Sequence, residues 1–241
     1  MPRTLRRKNP DVAIIGAGTL ATALALALQQ SRHRVLEIVS RDNSESLRRA
    51  TALARRVKAS PAMLSRADFS AQIVWICVPD DAIAEVAKHL AGRDWKGKIV
   101  VHSSGAVGSD VLEVLKKRGA GIASAHPLMT FVISSKSSFK KVPFAVEGDR
   151  RAISVIEALA RTLGGKPFRI QAALKPAYHA FGFFSSPAIA SLLAAAQAVG
   201  RLAGFDAKCS REFMEPIVRQ TVDNCFRTDP RQAFSGPLRR A

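Results

Sequence analysis

His126, Lys175 and His179 are the side chains best suited to do chemistry in this chain. An imidazole titrates near neutral pH, so His126 can supply the proton that hydride transfer to a carbonyl or imine requires. Its structural alternative is a ring that caps a loop. Lys175 and His179 stand at i and i+4 in a helical stretch, which puts them on one face. Lys175 can bind a substrate carboxylate or stabilise a developing oxyanion. His179 reads either as a partner in that site or as a helix-packing histidine. Asn224 is a further candidate for the same cleft, or a helix-surface amide, and His33 and His89 read as surface residues. No two histidines have HxxxH spacing, and Cys77, Cys209 and Cys225 form no CxxC pair, so no metal is expected.

A second constellation is shaped for phosphate. Gly16-Ala17-Gly18-Thr19-Leu20-Ala21 is a GxGxxA loop between an apolar run and a helical one. In that context Gly16 permits the tight turn, Gly18 lets the backbone approach a pyrophosphate, and Ala21 lets helix and strand pack closely. The first-turn amides of Thr19, Leu20 and Ala21, with the helix dipole, then hold the phosphates. A glycine turn without a ligand is the alternative. The next strand ends Val39-Ser40-Arg41, where an NAD site usually has Asp or Glu, and Glu37 lies too early to serve. Ser40 can hydrogen-bond a 2′-phosphate and Arg41 can pair with it, so the expected cofactor is NADP, with NAD or a deazaflavin as alternatives. Val78-Pro79-Asp80 and His102-Ser103-Ser104-Gly105 fall at the ends of later strands and are expected to line the nicotinamide side. Asp80 reads equally as a helix cap, and the serines as loop hydrogen-bonders.

Positioning these residues requires a regular scaffold. Strands are expected over 12–15, 35–39, 73–78, 98–101, 122–124, 142–146 and 167–170. Helices are expected over 20–30, 44–57 (capped by Asn43 or Ser44), 82–90 (capped by Asp80 or Asp81) and 109–118. Such alternation means right-handed crossovers and a mostly parallel sheet covered on both faces, a doubly wound α/β Rossmann fold. Beyond residue 171 the pattern is helical, with a long apolar segment to Ala203 and then Ser210 to Phe226. The chain therefore divides into a basic tail (1–10), an NAD(P)-binding Rossmann domain (11–171) and a smaller all-helical domain (172–241).

Composition bounds the partners. The 241 residues are 47% hydrophobic and 23% charged, which excludes disorder as a whole. The net charge of +18 favours anionic ligands, yet part of it lies in the two tails, where Arg3, Arg6, Arg7 and Lys8 and then Arg227, Arg231, Arg239 and Arg240 face only Asp229. With one tyrosine and two tryptophans there is no stacking platform for bases, so nucleic acid is not the expected partner. No charge interrupts the chain between Lys175 and Arg201. That stretch is alanine-rich and carries Pro176, His179 and Pro187, so it reads as a helix buried in protein or at a subunit interface rather than in a membrane. The opening MPRTLRRKNP lacks the apolar run of a secretory signal, and a reduced cytoplasmic location is expected.

Several stretches together resemble a family of bacterial Rossmann-like, NADP-oxidoreductase-like proteins with a helical C-terminal domain of unknown function. They are IIGAGTLA (14–21), CVPDDAI (77–83), VVHSSGA (100–106), AHPLMTF (125–131), VPFAVEGD (142–149), KPAYHAF (175–181) and AFSGPLRR (233–240). The family is similar to pyrroline-5-carboxylate reductase, ketopantoate reductase and 6-phosphogluconate dehydrogenase-like proteins. The resemblance implies an oxidoreductase acting on a small anionic substrate between the domains, and a homodimer through the helical domain. A dinucleotide-binding sensor without turnover is the alternative. The His126-Pro127 step resembles that of prephenate dehydrogenase, which implies contact with a substrate hydroxyl. In two places the chain departs from the family: Pro187 stands where relatives usually have asparagine, and relatives continue beyond GPLRR, so the helical domain reads as incomplete.

Overall fold

The computed structural model describes residues 9–131 and 138–228. Expectations placed on residues 1–8 and 229–241, including the AFSGPLRR stretch and most of the tail charge, lie outside the described residues. Two compact units are present, Met1–Phe181 and Gly182–Ala241.

The first unit runs β1 (Val12–Ile15), α1 (Thr19–Gln30), β2 (Val35–Ser40), α2 (Ser44–Val57), β3 (Ser60–Met63), β4 (Ile73–Ile76), α3 (Ile83–Leu90), β5 (Ile99–His102), α4 (Glu113–Lys116), β6 (Gly121–Pro127), β7 (Pro143–Gly148), α5 (Arg150–Thr162) and β8 (Lys166–Arg169). The opening strand explains the architecture. Successive side chains of a strand face opposite ways, and in β1 Val12 and Ile14 enter one core while Ala13 and Ile15 enter another. A strand buried on both faces must lie inside a sheet covered on both sides. The eight strands form one sheet in the order β3-β2-β1-β4-β5-β6-β7-β8. All neighbours are parallel except β6 and β7. One core joins the sheet to α1, α2 and α5 through Leu24, Leu28, Leu53 and Ile156. The other joins it to α3 and α4 through Ile83, Leu90 and Leu115.

This is the doubly wound fold expected, with differences that have physical causes. Strand β3 was not anticipated because Pro61 breaks the strand pattern, and proline is tolerated at a sheet edge, where β3 lies. Helix α5 was likewise not anticipated; it buries Ala152, Ile156, Leu159 and Ala160 along one stripe. The stretch expected as a helix over 109–118 is a 3-10 turn (Ser109–Leu112) followed by the single turn of α4. Asn43 caps α2, its Oδ1 accepting from Ser46 N at 2.8 Å. Neither Asp80 nor Asp81 caps α3, which a 3-10 turn over Asp80–Ala82 precedes.

The second stretch of helices contains α6 (Lys175–Ser185), α7 (Pro187–Leu202) and α8 (Ala207–Arg227). The long apolar segment is thus broken at Ser186, and Pro187 opens α7 at the first helical position, where a missing N–H is harmless. Asp206 caps α8, accepting from the amides of Lys208 and Cys209. Within the second unit Phe205 packs edge-on against Phe213 with ring centroids 5.3 Å apart. The first unit reaches Phe181 because the opening turns of α6 belong to it. By length and composition Ala172–Leu202 is apolar enough to cross a membrane, and none of its most apolar window is buried within the chain.

Candidate functional site

The order of the sheet reverses direction of growth between β1 and β4, and ligands of such sheets bind outside the strand ends at that point. Gly16 leaves β1 with φ of 118°, and a Cβ there would lie 2.3 Å from the Cys77 carbonyl oxygen. Only glycine fits both constraints. The two loops are stitched to the sheet by Gly16 N donating to Val39 O and Cys77 N donating to Ile15 O, both at 2.7 Å. Gly18 is the opposite case: a Cβ on it would meet nothing within 4 Å, so its backbone is open to a ligand. Helix α1 starts at once, and its first loop-to-helix bond is Thr22 N donating to Gly18 O. The amides of Thr19, Leu20 and Ala21 precede that bond, no side chain caps them, and the first turn has no acid. Ala21 is fully buried and lets α1 lie close on β1.

The register Ile15↔Val39 places Ser40 and Arg41 next to this loop. Arg41 is exposed; its carbonyl accepts from Asn43 N and Ser40 Oγ, while its guanidinium makes no hydrogen bond or ion pair among the described residues. Ser40 departs from its expectation. It is buried, and its hydroxyl donates to Arg41 O at 3.0 Å with Ala62 O at 3.4 Å, so it shapes the loop instead of facing a ligand. Glu37 holds the amides of Asp68 and Phe69 and is indeed not available.

The serines after β5 are also engaged internally. Ser103 Oγ accepts from Trp75 Nε1 at 2.7 Å. Ser104 is buried: its hydroxyl donates to Asp80 Oδ2 at 2.7 Å and accepts from the amides of Ala106 and Val107. Asp80 therefore serves neither as helix cap nor as a free carboxylate; it ties the loop after β4 to the loop after β5. Val78 is half-buried and Pro79 exposed on the same rim. Cys77 beneath it is held protonated, burial pushing its thiol up to about 12.

His126, Lys175 and His179 do come together. A Cβ on Gly105 would sit 3.1 Å from His126 Nε2 and 3.0 Å from His179 Nδ1, so both rings converge on one backbone position. Lys175 is placed differently from the expectation of a substrate-binding cation. It is 2% exposed, and Nζ donates to Ser104 O at 2.9 Å and to Ser124 Oγ, with Glu147 Oε1 3.7 Å away. Glu147 in turn accepts from Ser109 N and Ser109 Oγ, both at 2.7 Å. Burial lowers the Lys175 pKa, and the Glu147 carboxylate opposes that shift. Lys175 is a positioning residue that fastens α6 to the sheet.

His126 also differs from its expected chemistry. Burial first, then the charges of Lys175 and His179, push its pKa down to about 4, against the pull of Asp80. At neutral pH it is an uncharged hydrogen-bonding ring, not an imidazolium. His102 behaves alike: burial foremost and then Lys175 push it down to about 4. Its Nδ1 accepts from Ser104 N, and Nε2 faces Gly108 O, both at 3.1 Å.

Sequence reasoning missed Tyr178, whose hydroxyl lies 2.8 Å from His126 Nδ1. The available signal was that it is the chain's single tyrosine, on the same helical face as Lys175. It also missed Ser124 and Glu147, while His102 and Gly105 were expected only as part of the stretch lining the nicotinamide side. His33, expected at the surface, is buried with Nε2 3.1 Å from Thr162 Oγ1. Asn224 belongs to the second unit, where it accepts from Gln220 Nε2 at 2.8 Å. Among the described residues no group of three or more His, Cys, Asp or Glu side chains is placed to hold a metal ion.

A mostly parallel sheet with a glycine-rich crossover at its switch point defines a Rossmann-type dinucleotide fold. Residues 2–127 match the Rossmann-like domain model, so the chain belongs to that family, and residues 142–241 match a domain of unknown function, DUF2520. No curated protein matches the chain. Among solved structures it is similar to a candidate NADP oxidoreductase from Bacteroides fragilis, at 24% identity over 95% of this chain and 85% of that one, TM-score 0.82. A reductive aminase from Aspergillus terreus, in complex with NADPH and ethyl-5-oxohexanoate, is 14% identical over 90% and 75%, TM-score 0.68. A pyrroline-5-carboxylate reductase from Coxiella burnetii is 16% identical over 95% and 86%, TM-score 0.64. At these identities the likeness is one of fold.

The two depressed histidines make stability depend on pH. Their folded pKa of about 4 lies below the ordinary 6.5, so between these values the unfolded chain binds protons that the folded chain does not. The stabilisation is complete above pH 6.5 and is lost as pH falls toward 4, with fully buried His102 alone contributing roughly 3 kcal/mol. Urea unfolding at a series of pH values through this window should show that decline, and a flat profile would contradict it.

Proposed function

We propose that this chain is an NADP-dependent oxidoreductase acting on a small substrate. The observation that carries the reading is the open Gly18 backbone beside the uncapped amides of α1, with Arg41, whose guanidinium has no partner among the described residues, one strand away. A crevice of that shape fits a pyrophosphate, and a free guanidinium at the end of β2 fits a 2′-phosphate. The family match and the NADP- and NADPH-linked fold neighbours support the same reading. Bound NADPH would supply a hydride. The chain's part is to hold the pyrophosphate with Gly16–Ala21, to grip the 2′-phosphate with Arg41, and to line the nicotinamide side with Val78 and Pro79. His126, uncharged, offers a ring nitrogen to the substrate above Gly105. The net charge of +18 favours a substrate bearing an anionic group.

We also propose a homodimer formed through the helical unit. Leu202 is 89% and Phe226 87% exposed, and Leu192, Val199 and Ile217 are exposed with them. An apolar surface of that extent marks an interface.

NADPH should raise the thermal unfolding midpoint more than NADH does at equal concentration. Arg41→Ala should remove most of that difference, weakening NADPH by about tenfold or more; equal shifts from both nucleotides would count against the 2′-phosphate assignment. Among small carbonyl compounds bearing a carboxylate, some should be reduced with loss of NADPH absorbance, and His126→Ala should cut turnover while leaving NADPH affinity near wild type. Light scattering should give twice the 26.0 kDa chain mass, and a monomer at micromolar concentration would remove the dimer.

A further inference from the structure

We propose that Tyr178 is a positioning residue that donates its phenolic hydrogen to His126 Nδ1, fixes the Nε2–H tautomer, and so commits the site to substrates presenting a lone pair, such as a carbonyl or hydroxyl oxygen, over an iminium nitrogen. This rests on the reading of His126 as the substrate-facing ring.

The 2.8 Å separation of His126 Nδ1 and Tyr178 Oη allows two orientations of the shared hydrogen. A phenol is a better donor than acceptor, and a neutral imidazole nitrogen is a strong acceptor. Burial keeps the phenol protonated, pushing it up to about 12. No other bond to Tyr178 Oη competes among the described residues. Its ring stands edge-on to both His126, at 86°, and Phe168, at 68°, which holds the hydroxyl toward Nδ1.

The charged and titratable groups around His126 leave this bond intact. From α6, Lys175 directs its ammonium to Ser104 O, Ser124 Oγ and Glu147. Its fixed positive charge opposes a second proton on the ring. His179, also from α6, approaches from the Gly105 side, near Nε2. Asp80, in the 3-10 turn after β4, accepts from Ser104. With Nδ1 filled, the ring hydrogen must be on Nε2, the atom that packs close to Gly105, where a Cβ would come within 3.1 Å. A donor fixed there meets an oxygen lone pair well. An iminium nitrogen carries its own hydrogen, so donor would face donor.

The test is nitrogen NMR of the full chain labelled at its histidine imidazoles, without nucleotide, from about pH 5.5 to 8.5. His126 should carry its proton on Nε2 across that range; a proton on Nδ1, or an imidazolium at neutral pH, overturns the proposal from the wild-type spectrum alone. In Tyr178→Phe both tautomers should become populated across that range. A variant spectrum identical to wild type also overturns it. Cyclopentanone should shift the His126 Nε2 signal where pyrrolidinium does not. The reverse result, or no shift with either, overturns the substrate class. Because nucleotide is absent, failure here is separate from failure of the NADP reading, which the melting comparison decides.

Discussion

Removing an ammonium from water is so unfavourable that a buried lysine survives only where its donors are met and an opposite charge is close. Lys175 meets that demand with Ser104 O, Ser124 Oγ and Glu147, and the demand organises the site. The three partners come from the loop after β5, from β6 and from β7, so one side chain locates the start of α6 against three parts of the sheet. Tyr178 and His179 follow on the next turn and are carried to His126 and Gly105 as a consequence. Deleting the ammonium would leave Glu147 buried with less compensation and would release the helix that delivers both rings.

Ser104 joins this anchor to the glycine-rich crevice. Its carbonyl accepts from Lys175, its amide donates to His102, and its hydroxyl donates to Asp80 at the rim after β4. The crevice and the imidazole cluster therefore share a rigid backbone segment. A cofactor held by the first loop and a substrate under His126 would be located by the same hydrogen-bonded frame, the kind of support that holds reacting groups in register.

Much of the scaffold was legible from local patterns. Val12 to Ile15 is apolar at every position because both faces of β1 are covered, and GxGxxA is readable because each small residue answers a local steric limit. Strand β3 was illegible because Pro61 is acceptable only at an edge, and an edge is a property of the assembled sheet. Which bonds Ser40, Ser103 and Ser104 make was not legible for a related reason. A hydroxyl at a strand end can face a ligand or a neighbouring backbone group, and residues far along the chain decide which.

By itself the sequence determined the alternating elements, the phosphate-shaped loop and the candidacy of His126, Lys175 and His179, since these follow from side-chain size, spacing and intrinsic chemistry. Tertiary structure alone decided that Lys175 is an internal anchor, that His126 is neutral and that Tyr178 is its partner. Burial and through-space charge set those properties, and both depend on neighbours such as Glu147 and Tyr178 that no local spacing brings to mind.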